Sequence, residues 1–295
     1  MSKKILITGA SGGFGKLTVK TLLNNGHQVA ASMRAPEGRN KEHAQELKDA
    51  GAIIVEIDVT NTESVNQGVQ AAIDQLNGLD VVVNNAGVGV LGIQEQFTPE
   101  DWQRLFDINV FGVQRVNRAA LPLLRKQGSG LLVQISSILG RMTIPFYGPY
   151  NASKWAVEAM AENYRSELSA FGVDSVIVEP GGYATSFFNS LIMPSDRSQD
   201  ESYGDFIHAP KGLFDSFEGA LASNPAQNPQ DVADAITSVI ETPAGQRPFR
   251  TVVDKMGMGD PMKPYNESLE QITSGVYNAF GMGDMLNLKV AEEQN

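Results

Sequence analysis

The stretch KKILITGASGGFG, residues 3–15, joins a short apolar run to a turn that contains four glycines. The apolar run predicts a buried strand near residues 3–8, and residues 15–25 have the pattern of a helix. A strand, a glycine-rich turn and a helix start form a cradle for a phosphate group, because the missing side chains let the backbone approach closely and the helix N-terminus stabilises negative charge. The turn alone is a weak indication. Its place at the first strand-to-helix junction of the chain gives it weight.

The same alternation of strand and helix continues along the chain. Short apolar runs predict strands near residues 3–8, 28–33, 52–57, 79–84, 130–136, 173–179 and 250–253. Helical patterns cover residues 15–25, 40–50, 62–77, 99–127, 150–171 and 229–241. Runs such as Val81-Val82-Val83 lack polar alternation, which is typical of parallel strands buried on both faces. The sequence therefore predicts an α/β fold, a Rossmann-type doubly wound parallel sheet flanked by helices, with a binding site at the carboxyl ends of the strands.

Composition narrows the classes of function. Cysteine is absent, which excludes disulfides, a thiol nucleophile and a thiolate metal site. His27, His43 and His208 show no ligand spacing, so we expect no metal. A net charge of −11 opposes nucleic-acid binding. With no charged-then-apolar leader and no apolar run near about 18 residues, we expect neither secretion nor a membrane span, and by elimination a cytoplasmic location. No linker or repeat divides residues 1–295, which predicts one domain.

Lys154 lies four positions after Tyr150, so on a helix both side chains project from one face. A free phenol loses its proton at a pKa of roughly 10, and a cation beside it favours the phenolate and lowers that pKa. The pair is therefore a candidate proton donor and acceptor. Because Tyr and Lys meet at this spacing on many ordinary helices, the pair needs support from other residues.

That support comes from five more motifs, and with them residues 3–185 resemble the short-chain dehydrogenase/reductase family. The glycine-rich turn fits the family's cofactor motif through Thr8, Gly9, Gly13 and Gly15. Gly12 also lets the turn fit the longer, epimerase-like branch, so the turn does not choose between branches. The remaining elements match the shorter oxidoreductase branch: Asn84-Asn85-Ala86-Gly87, Asn109, Ser137 placed thirteen residues before Tyr150, and the Pro-Gly-x-x-x-Thr segment from Pro180 to Thr185.

The resemblance implies a role for each of four catalytic residues. Tyr150 would donate a proton to a carbonyl oxygen during reduction, or accept one during oxidation. Lys154 would lower the phenol pKa and hold the hydroxyls of the nicotinamide ribose. Ser137 would orient the substrate oxygen by a hydrogen bond. Asn109 would hold a water that links Lys154 to solvent.

The cofactor implied by the resemblance is a nicotinamide dinucleotide, and the sequence favours NADP(H) over NAD(H). An NAD enzyme would place an acidic residue at Met33, to accept hydrogen bonds from the adenosine ribose, whereas here that position is neutral and Arg34 follows it. A guanidinium suits a 2′-phosphate in geometry and charge. Many NADP-using relatives carry a second basic residue at Gly12, so Arg34 would be helped only by Ser11, Ser32 or Arg39. The expected cofactor-binding residues are Thr8, Gly9, Ser11, Gly13, Phe14, Gly15, Arg34, Asp58, Val59, Asn85, Ala86, Gly87, Tyr150, Lys154, Pro180, Gly181, Tyr183 and Thr185.

Two segments depart from the regular alternation. The resemblance implies that residues 186–228 form a substrate lid with one or two short helices. Residues 255–295 form a C-terminal extension with a helix near 265–280. The expected substrate-pocket residues are mostly apolar: Ser137, Leu139, Phe146, Tyr147, Tyr183, Phe187, Phe188 and Leu191. They favour a bulky, mostly apolar ketone or aldehyde and its alcohol.

Other functions remain open at this point. One is an NAD-dependent secondary-alcohol dehydrogenase, hydroxysteroid- or retinol-like, and another is a protein that binds NADP(H) without turnover. An epimerase is opposed by Asn84-Asn85-Ala86-Gly87. The helices near 99–127 and 150–171 carry apolar residues on more than one face, which predicts a homodimer or homotetramer with Trp155 near the contact, unless the C-terminal extension covers that surface.

Overall fold

The sheet is the part of the fold that positions the site. The computed structural model describes residues 2–290. It contains a seven-stranded parallel sheet with the strand order β3-β2-β1-β4-β5-β6-β7. The strands are β1 (Lys4–Ile7), β2 (Gln28–Met33), β3 (Ile53–Glu56), β4 (Val81–Asn84), β5 (Gly130–Ile135), β6 (Val173–Pro180) and β7 (Arg250–Val253). Each predicted strand is found, and the doubly wound parallel sheet is confirmed.

Ten helices of the described part connect or extend these strands. They are α1 (Gly13–Asn24), α2 (Lys41–Asp49), α3 (Thr62–Leu76), α4 (Pro99–Phe106), α5 (Gly112–Gln127), α6 (Gly148–Leu168), α7 (Asp200–Tyr203), α8 (Ala209–Ala222), α9 (Gln230–Glu241) and α10 (Met262–Ala279). The sequence predicts where most of them begin, because the start signals are local. At α4, for example, Thr98 and Asp101 form a capping box and Pro99 occupies the first turn.

The core lies on both faces of the sheet, and strand β1 shows why. Ile5 and Ile7 belong to the apolar layer that includes residues of α1 and α9. Leu6 belongs to the opposite layer, which includes residues of α3 and α5. Successive side chains of a strand point to opposite faces, so a central strand covered on both sides must be apolar at every position.

One helix differs from its prediction. The pattern predicts a continuous helix over residues 99–127, but a π-helical turn spans Asp107–Phe111 between α4 and α5. The wider turn places Asn109 inward, where its side chain reaches the backbone of Val88 and the hydroxyl of Ser153. π-helical turns inside longer helices are often associated with functional sites. Hydrophobic periodicity does not register such a turn, because the helix continues on either side of it.

The two irregular segments contain the remaining helices. Residues 186–228 include α7 and α8, and the C-terminal extension includes α10, which is close to the helix predicted near 265–280. Helix α10 is linked to α6 by an ion pair from Arg165 Nη1 to Glu270 Oε1 at 2.7 Å, and by a hydrogen bond from the Tyr277 hydroxyl to Ser166 Oγ at 3.3 Å. The assignment of residues 1–295 to one domain stays a prediction. Within residues 2–290, no helix is both long and apolar enough to cross a lipid bilayer.

Candidate active site

The glycine-rich turn is held to the residues that follow β4 by hydrogen bonds between side chains and the backbone. The Thr8 hydroxyl accepts hydrogen bonds from the amides of Asn85 and Ala86, each at 3.1 Å. Asn85 Nδ2 donates in return to the carbonyls of Thr8 at 2.9 Å and Gly9 at 3.0 Å. A Cβ at Gly15 would lie 2.5 Å from both Asn85 Nδ2 and the Gly9 carbonyl, so only glycine fits. We call this unit, residues 8–15 with 85–87, the phosphate cradle.

The cradle has the shape and donors that a dinucleotide diphosphate requires. Helix α1 begins at Gly13 with no side-chain cap and no acidic residue in its first turn, so its N-terminus offers free amides to an anion. Gly9, Ser11, Gly13 and Phe14 line the large cavity above the carboxyl ends of the strands. Thr8 and Gly15 do not line it, and they support the turn from beneath. The residues therefore fit a nicotinamide dinucleotide.

Basic residues stand at one end of this cavity, where β2 ends. Arg34, Arg39 and Asn40 all line it, and Asn40 Nδ2 fixes the loop by donating to the Arg34 carbonyl at 2.6 Å. A Cβ at Gly12 would lie 2.8 Å from Ser186 Oγ, so a basic side chain at position 12 would collide with the start of the lid segment. Arg39 is a second basic residue that lines the cavity at this end.

Asp58 and Val59 line the same end of the cavity. Asp58 Oδ1 accepts hydrogen bonds from the amide of Thr60 at 3.0 Å and from its hydroxyl at 2.8 Å, so this carboxylate also shapes its own turn. Burial acts to raise the pKa of Asp58, but these Thr60 hydrogen bonds, and the charges of Arg34 and Arg39, hold that pKa below its usual value. Asp58 is therefore ionised at neutral pH.

Ser137, Tyr150 and Lys154 meet at the other end of the cavity, where β5 ends and α6 begins. Lys154 Nζ lies 5.5 Å from the centroid of the Tyr150 ring and donates to the Ile135 carbonyl at 2.8 Å. The Ser137 hydroxyl accepts from the Leu139 amide at 3.1 Å, which holds it at the start of the loop after β5. A proton donor, a cation and a second hydroxyl are thus brought together from two elements.

Burial acts on the pKa values of both Tyr150 and Lys154. Burial raises the pKa of Tyr150 above its usual value, against the hydroxyl of Ser137, which acts to lower it. Burial also lowers the pKa of Lys154 to about 8, against the charge of Glu158, which acts to raise it. The expected effect of Lys154 on the phenol pKa stays a prediction. Tyr150 is a neutral phenol at pH 7, which is the form that can donate a proton.

Asn109 lies behind this group rather than in the cavity lining. Its Nδ2 donates to the Val88 carbonyl at 2.9 Å and to Ser153 Oγ at 3.1 Å, and its Oδ1 accepts from the Val88 amide at 2.9 Å. The side chain thereby ties Val88, in the loop after β4, to helix α6. These bonds are structural, and the expected role of Asn109 in holding a water stays a prediction.

The wall near Tyr150 is aromatic. The Phe187 ring lies 5.8 Å from that of Tyr150, and Phe188 contacts both Phe214 and Phe217 at 5.6 Å between ring centroids. The sequence-predicted wall and nicotinamide-side residues that line the cavity are Ser137, Leu139, Tyr147, Pro180, Gly181, Tyr183, Thr185, Phe187 and Phe188. Phe146 and Leu191 do not line it. Phe146 packs instead against Phe206 of the lid segment, at 5.7 Å between ring centroids.

Sequence reasoning missed some of the cavity lining. Leu213 and Phe217 enter it from α8, and Met258 enters it from the C-terminal extension. Leu213 and Phe217 are four residues apart on a helix, a spacing that could have indicated a shared face. Met258 lies in an irregular stretch that gives no such signal. The cavity measures about 480 Å³.

Comparison with known proteins agrees with this geometry. A family model described as short chain dehydrogenase matches residues 3–194. The chain is 38% identical over 201 residues to a 3-ketodihydrosphingosine reductase from Bacteroides thetaiotaomicron, covering 68% of this chain and 71% of that protein. It is 37% identical over 229 residues to retinol dehydrogenase 7 from Mus musculus, covering 75% and 70% respectively. A crystal structure of a short-chain dehydrogenase from Streptomyces avermitilis superposes with a TM-score of 0.75 at 27% identity, covering 96% of this chain and 99% of that one.

Proposed function

The chain belongs to the short-chain dehydrogenase/reductase family, and within that oxidoreductase family we propose that it reduces a bulky, mostly apolar ketone or aldehyde with NADPH. The observation that carries the proposal is the position of the Tyr150 phenol beside Ser137 and Lys154, at the aromatic end of the cavity. A neutral phenol can give its proton to a carbonyl oxygen as negative charge develops there.

Four residues of this chain would perform the reaction, and the bound nicotinamide would supply or accept the hydride. Tyr150 donates the proton to the substrate oxygen in the direction of reduction. Ser137 donates a hydrogen bond to the same oxygen and orients it, which stabilises the developing charge. Lys154 stabilises the phenolate that remains on Tyr150 and binds the ribose hydroxyls. Asn109 holds Val88 and Ser153 in place, and so keeps the loop after β4 against α6.

The preference for NADP(H) rests on the cations at the end of β2. Arg34 and Arg39 together would bind a 2′-phosphate, and Met33 offers no carboxylate to repel it. One observation favours the alternative of an NAD-dependent secondary-alcohol dehydrogenase. Glu56 Oε1 accepts a hydrogen bond from the Ala35 amide at 3.1 Å, which places a carboxylate close to Arg34. The strength of the preference therefore has to be measured with both cofactors.

The substrate proposal rests on the aromatic wall. The side chains of Phe187, Phe188 and Phe217 offer apolar surface, and the residues of the cavity near Tyr150 include no Arg or Lys apart from Lys154. An apolar substrate would lose contact with water there without leaving a charge unpaired. The relatives named as a 3-ketodihydrosphingosine reductase and a retinol dehydrogenase support a lipid-like carbonyl compound or alcohol.

The proposed function is tested by assaying a panel of ketones, aldehydes and alcohols with NADPH and NADH, for the wild type and for Tyr150→Phe. We expect turnover by the wild type, and Tyr150→Phe should lose about 10²–10⁴-fold in kcat because the ring remains but the transferable proton is gone. NADPH titration by fluorescence should give similar binding in both proteins. Binding without turnover in the wild type would support a dinucleotide-binding protein that is not an enzyme.

A cytoplasmic homodimer, or a tetramer built from two such dimers, is also part of the proposal. Phe111 and Trp155, on the helices expected at the contact, are 52% and 41% exposed in the single chain, which leaves apolar surface for a second copy. Light scattering at micromolar concentration tests this. A single species at the chain mass of 31.8 kDa would contradict it.

A further inference from the structure

The short segment from Ile135 to Arg141 carries Ser137 and is tied to α6 at both of its ends. At the first end, Lys154 Nζ donates to the Ile135 carbonyl at 2.8 Å. At the second end, Arg141 Nη2 lies 2.7 Å from Glu158 Oε2 as an ion pair. Lys154 and Glu158 are one helical turn apart on α6. Ser137 is therefore held between two ties to the helix that carries Tyr150.

The second tie belongs to a buried group of charges, which we call the Arg141 cluster: Arg141, Glu158, Glu162, Glu179 and Arg250. Arg141 Nε also lies 3.3 Å from Glu179 Oε1, at the end of β6. Arg250 Nε, on β7, lies 3.1 Å from Glu158 Oε2. Apart from Glu162, which is 32% exposed, the side chains of the cluster are between 0 and 5% exposed.

Burying so many charges is a costly way to stabilise a fold. Ion pairs of this kind can often be replaced by apolar side chains with no loss of stability, so their presence points to a demand for a defined geometry. A guanidinium can pair with two carboxylates from different elements at once: here Nε donates a hydrogen bond to Glu179, and Nη2 forms the ion pair with Glu158. Arg141 does this between α6 and β6, directly after the loop that starts at Ser137.

The packing at Gly140 gives independent support. A Cβ at this position would lie 2.8 Å from Ser136 Oγ and 3.0 Å from Glu158 Cγ. The segment therefore approaches α6 as closely as a glycine allows, immediately before Arg141.

We propose that Arg141 and Glu158 are positioning residues for the carbonyl reduction: their buried ion pair holds the Ser137 segment at the distance from α6 that Tyr150 and Lys154 require. This inference rests on the proposed function. Neither residue lines the cavity, so both act through Ser137 and α6 rather than on the substrate.

The test compares kcat and KM for Arg141→Met, Arg141→Lys and Glu158→Gln, at a temperature well below the melting temperature of each variant. Misplacing a reacting group by about 1 Å costs on the order of 100-fold in rate, so we expect kcat to fall by about 10- to 100-fold in Arg141→Met and Glu158→Gln. The KM for NADPH should change far less, because the phosphate cradle is untouched. Arg141→Lys keeps a cation and should recover part of kcat.

The matched control is Glu270→Gln. It removes the ion pair from Glu270, on α10, to Arg165, on the same helix α6, and this pair includes no residue of the Ser137 segment. We expect wild-type kcat from this variant. If Arg141→Met does not fold, Glu158→Gln still decides the question, because it keeps the side-chain shape and leaves Arg141 with Glu162 and Glu179 as partners.

Two failures are distinguishable. If the wild type turns over no carbonyl compound, the proposed function fails and this inference fails with it. If the wild type is active and Tyr150→Phe is inactive, but Glu158→Gln and Arg141→Met keep wild-type kcat with only a lower melting temperature, the ion pair is merely structural and the inference alone is overturned.

Discussion

The phosphate cradle and the Arg141 cluster hold the two ends of one site by opposite means. The cradle is made of backbone groups, of glycines and of three polar side chains, Thr8, Ser11 and Asn85, and it contains no formal charge. The cluster is made almost entirely of charged side chains that are hidden from solvent. The cradle must meet a charged ligand, so its own groups stay neutral and close to the backbone. The cluster meets no ligand, so its charges pair with one another and fix the relative positions of the elements that carry them.

The largest effect is expected from Gly15→Ala in the cradle. The added methyl would lie 2.5 Å from Asn85 Nδ2 and from the Gly9 carbonyl, and neither can move without opening the turn. We expect loss of detectable NADPH binding in a fluorescence titration, together with a fall of about 1–3 kcal/mol in the free energy of unfolding from overpacking.

Gly275→Ala is the control for that substitution. Gly275 is exposed within α10 and has no atom within 4 Å of an added Cβ. Alanine should raise the free energy of unfolding by about 0.5–1 kcal/mol there, because it is the better helix former, and NADPH binding should be unchanged. If Gly15→Ala binds NADPH with wild-type affinity, the turn relaxes around the added methyl group. The cradle is then less rigid than its close contacts indicate.

The second effect concerns the cations at the edge of the cradle. If Arg34 binds the 2′-phosphate, Arg34→Ala should raise the KM for NADPH and leave the KM for NADH nearly unchanged. Losing a charge-assisted hydrogen bond to phosphate costs on the order of 1.5–3 kcal/mol, or roughly 10- to 150-fold in KM. Lys48→Ala, an exposed basic residue on α2 outside the cavity lining, should change neither KM. Equal effects of Arg34→Ala on both cofactors would remove Arg34 from the phosphate site.

These two regions also differ in how well the sequence predicts them. The cradle could be predicted from residues 3–15, because close backbone packing at this turn allows only glycine at several positions. Its partners, residues 85–87, all follow one neighbouring strand, β4. The alternation of apolar runs gave the order of elements for the same reason: burial on both faces of a parallel strand leaves a local pattern. Tyr150 and Lys154 were readable because four residues along a helix fix which face they share.

The Arg141 cluster could not be read in this way. Its members come from a loop, from α6, from β6 and from β7, and they are separated by up to 109 residues, from position 141 to position 250. Each of them alone resembles an ordinary surface charge, and only the packed sheet shows that they are buried together. The burial of Tyr150, which acts to raise its pKa, could not be predicted for a related reason, because it depends on segments distant in the sequence.

A third prediction uses the charge of the cluster. Burial, with the nearby charge of Glu158, raises the pKa of Glu179 from an ordinary value of 4.5 to about 7. A carboxyl whose pKa is higher in the folded state stabilises the fold fully below its unfolded pKa, and this contribution is lost as the pH rises through the folded value. Relative to Glu179→Gln, the wild type should therefore lose on the order of 1–3 kcal/mol in the free energy of unfolding between about pH 5 and pH 8.

Urea unfolding of both proteins across this pH range measures the difference directly. The stability lost in Gly15→Ala serves as the control, since that substitution involves no titrating group and its cost should not depend on pH. A wild type that gains stability relative to Glu179→Gln as the pH rises would mean that Arg141 and Arg250 keep Glu179 ionised throughout. The cluster would then be a fixed set of ion pairs rather than a titrating one.

The smallest expected effect is the coupling between the two regions. Arg34 follows β2 and the Ser137 segment follows β5, and the strand order places three inter-strand steps between them, or about 14 Å at the usual spacing. Substitutions this far apart, with no shared partner, usually add within about 0.5 kcal/mol. The effects of Arg34→Ala and Glu158→Gln on kcat/KM with NADPH should therefore multiply in the double variant.

Arg141→Lys and Glu158→Gln, whose side chains touch, should couple by about 0.5–3 kcal/mol when combined. Steady-state kinetics of the wild type, the single variants and both double variants give the two coupling energies. If Arg34 and Glu158 couple as strongly as the touching pair, a shift of the Ser137 segment changes how the 2′-phosphate is bound. The cradle and the cluster would then act on the bound cofactor as one unit. They would differ in composition, one neutral and one charged, but not in their effect on the reaction.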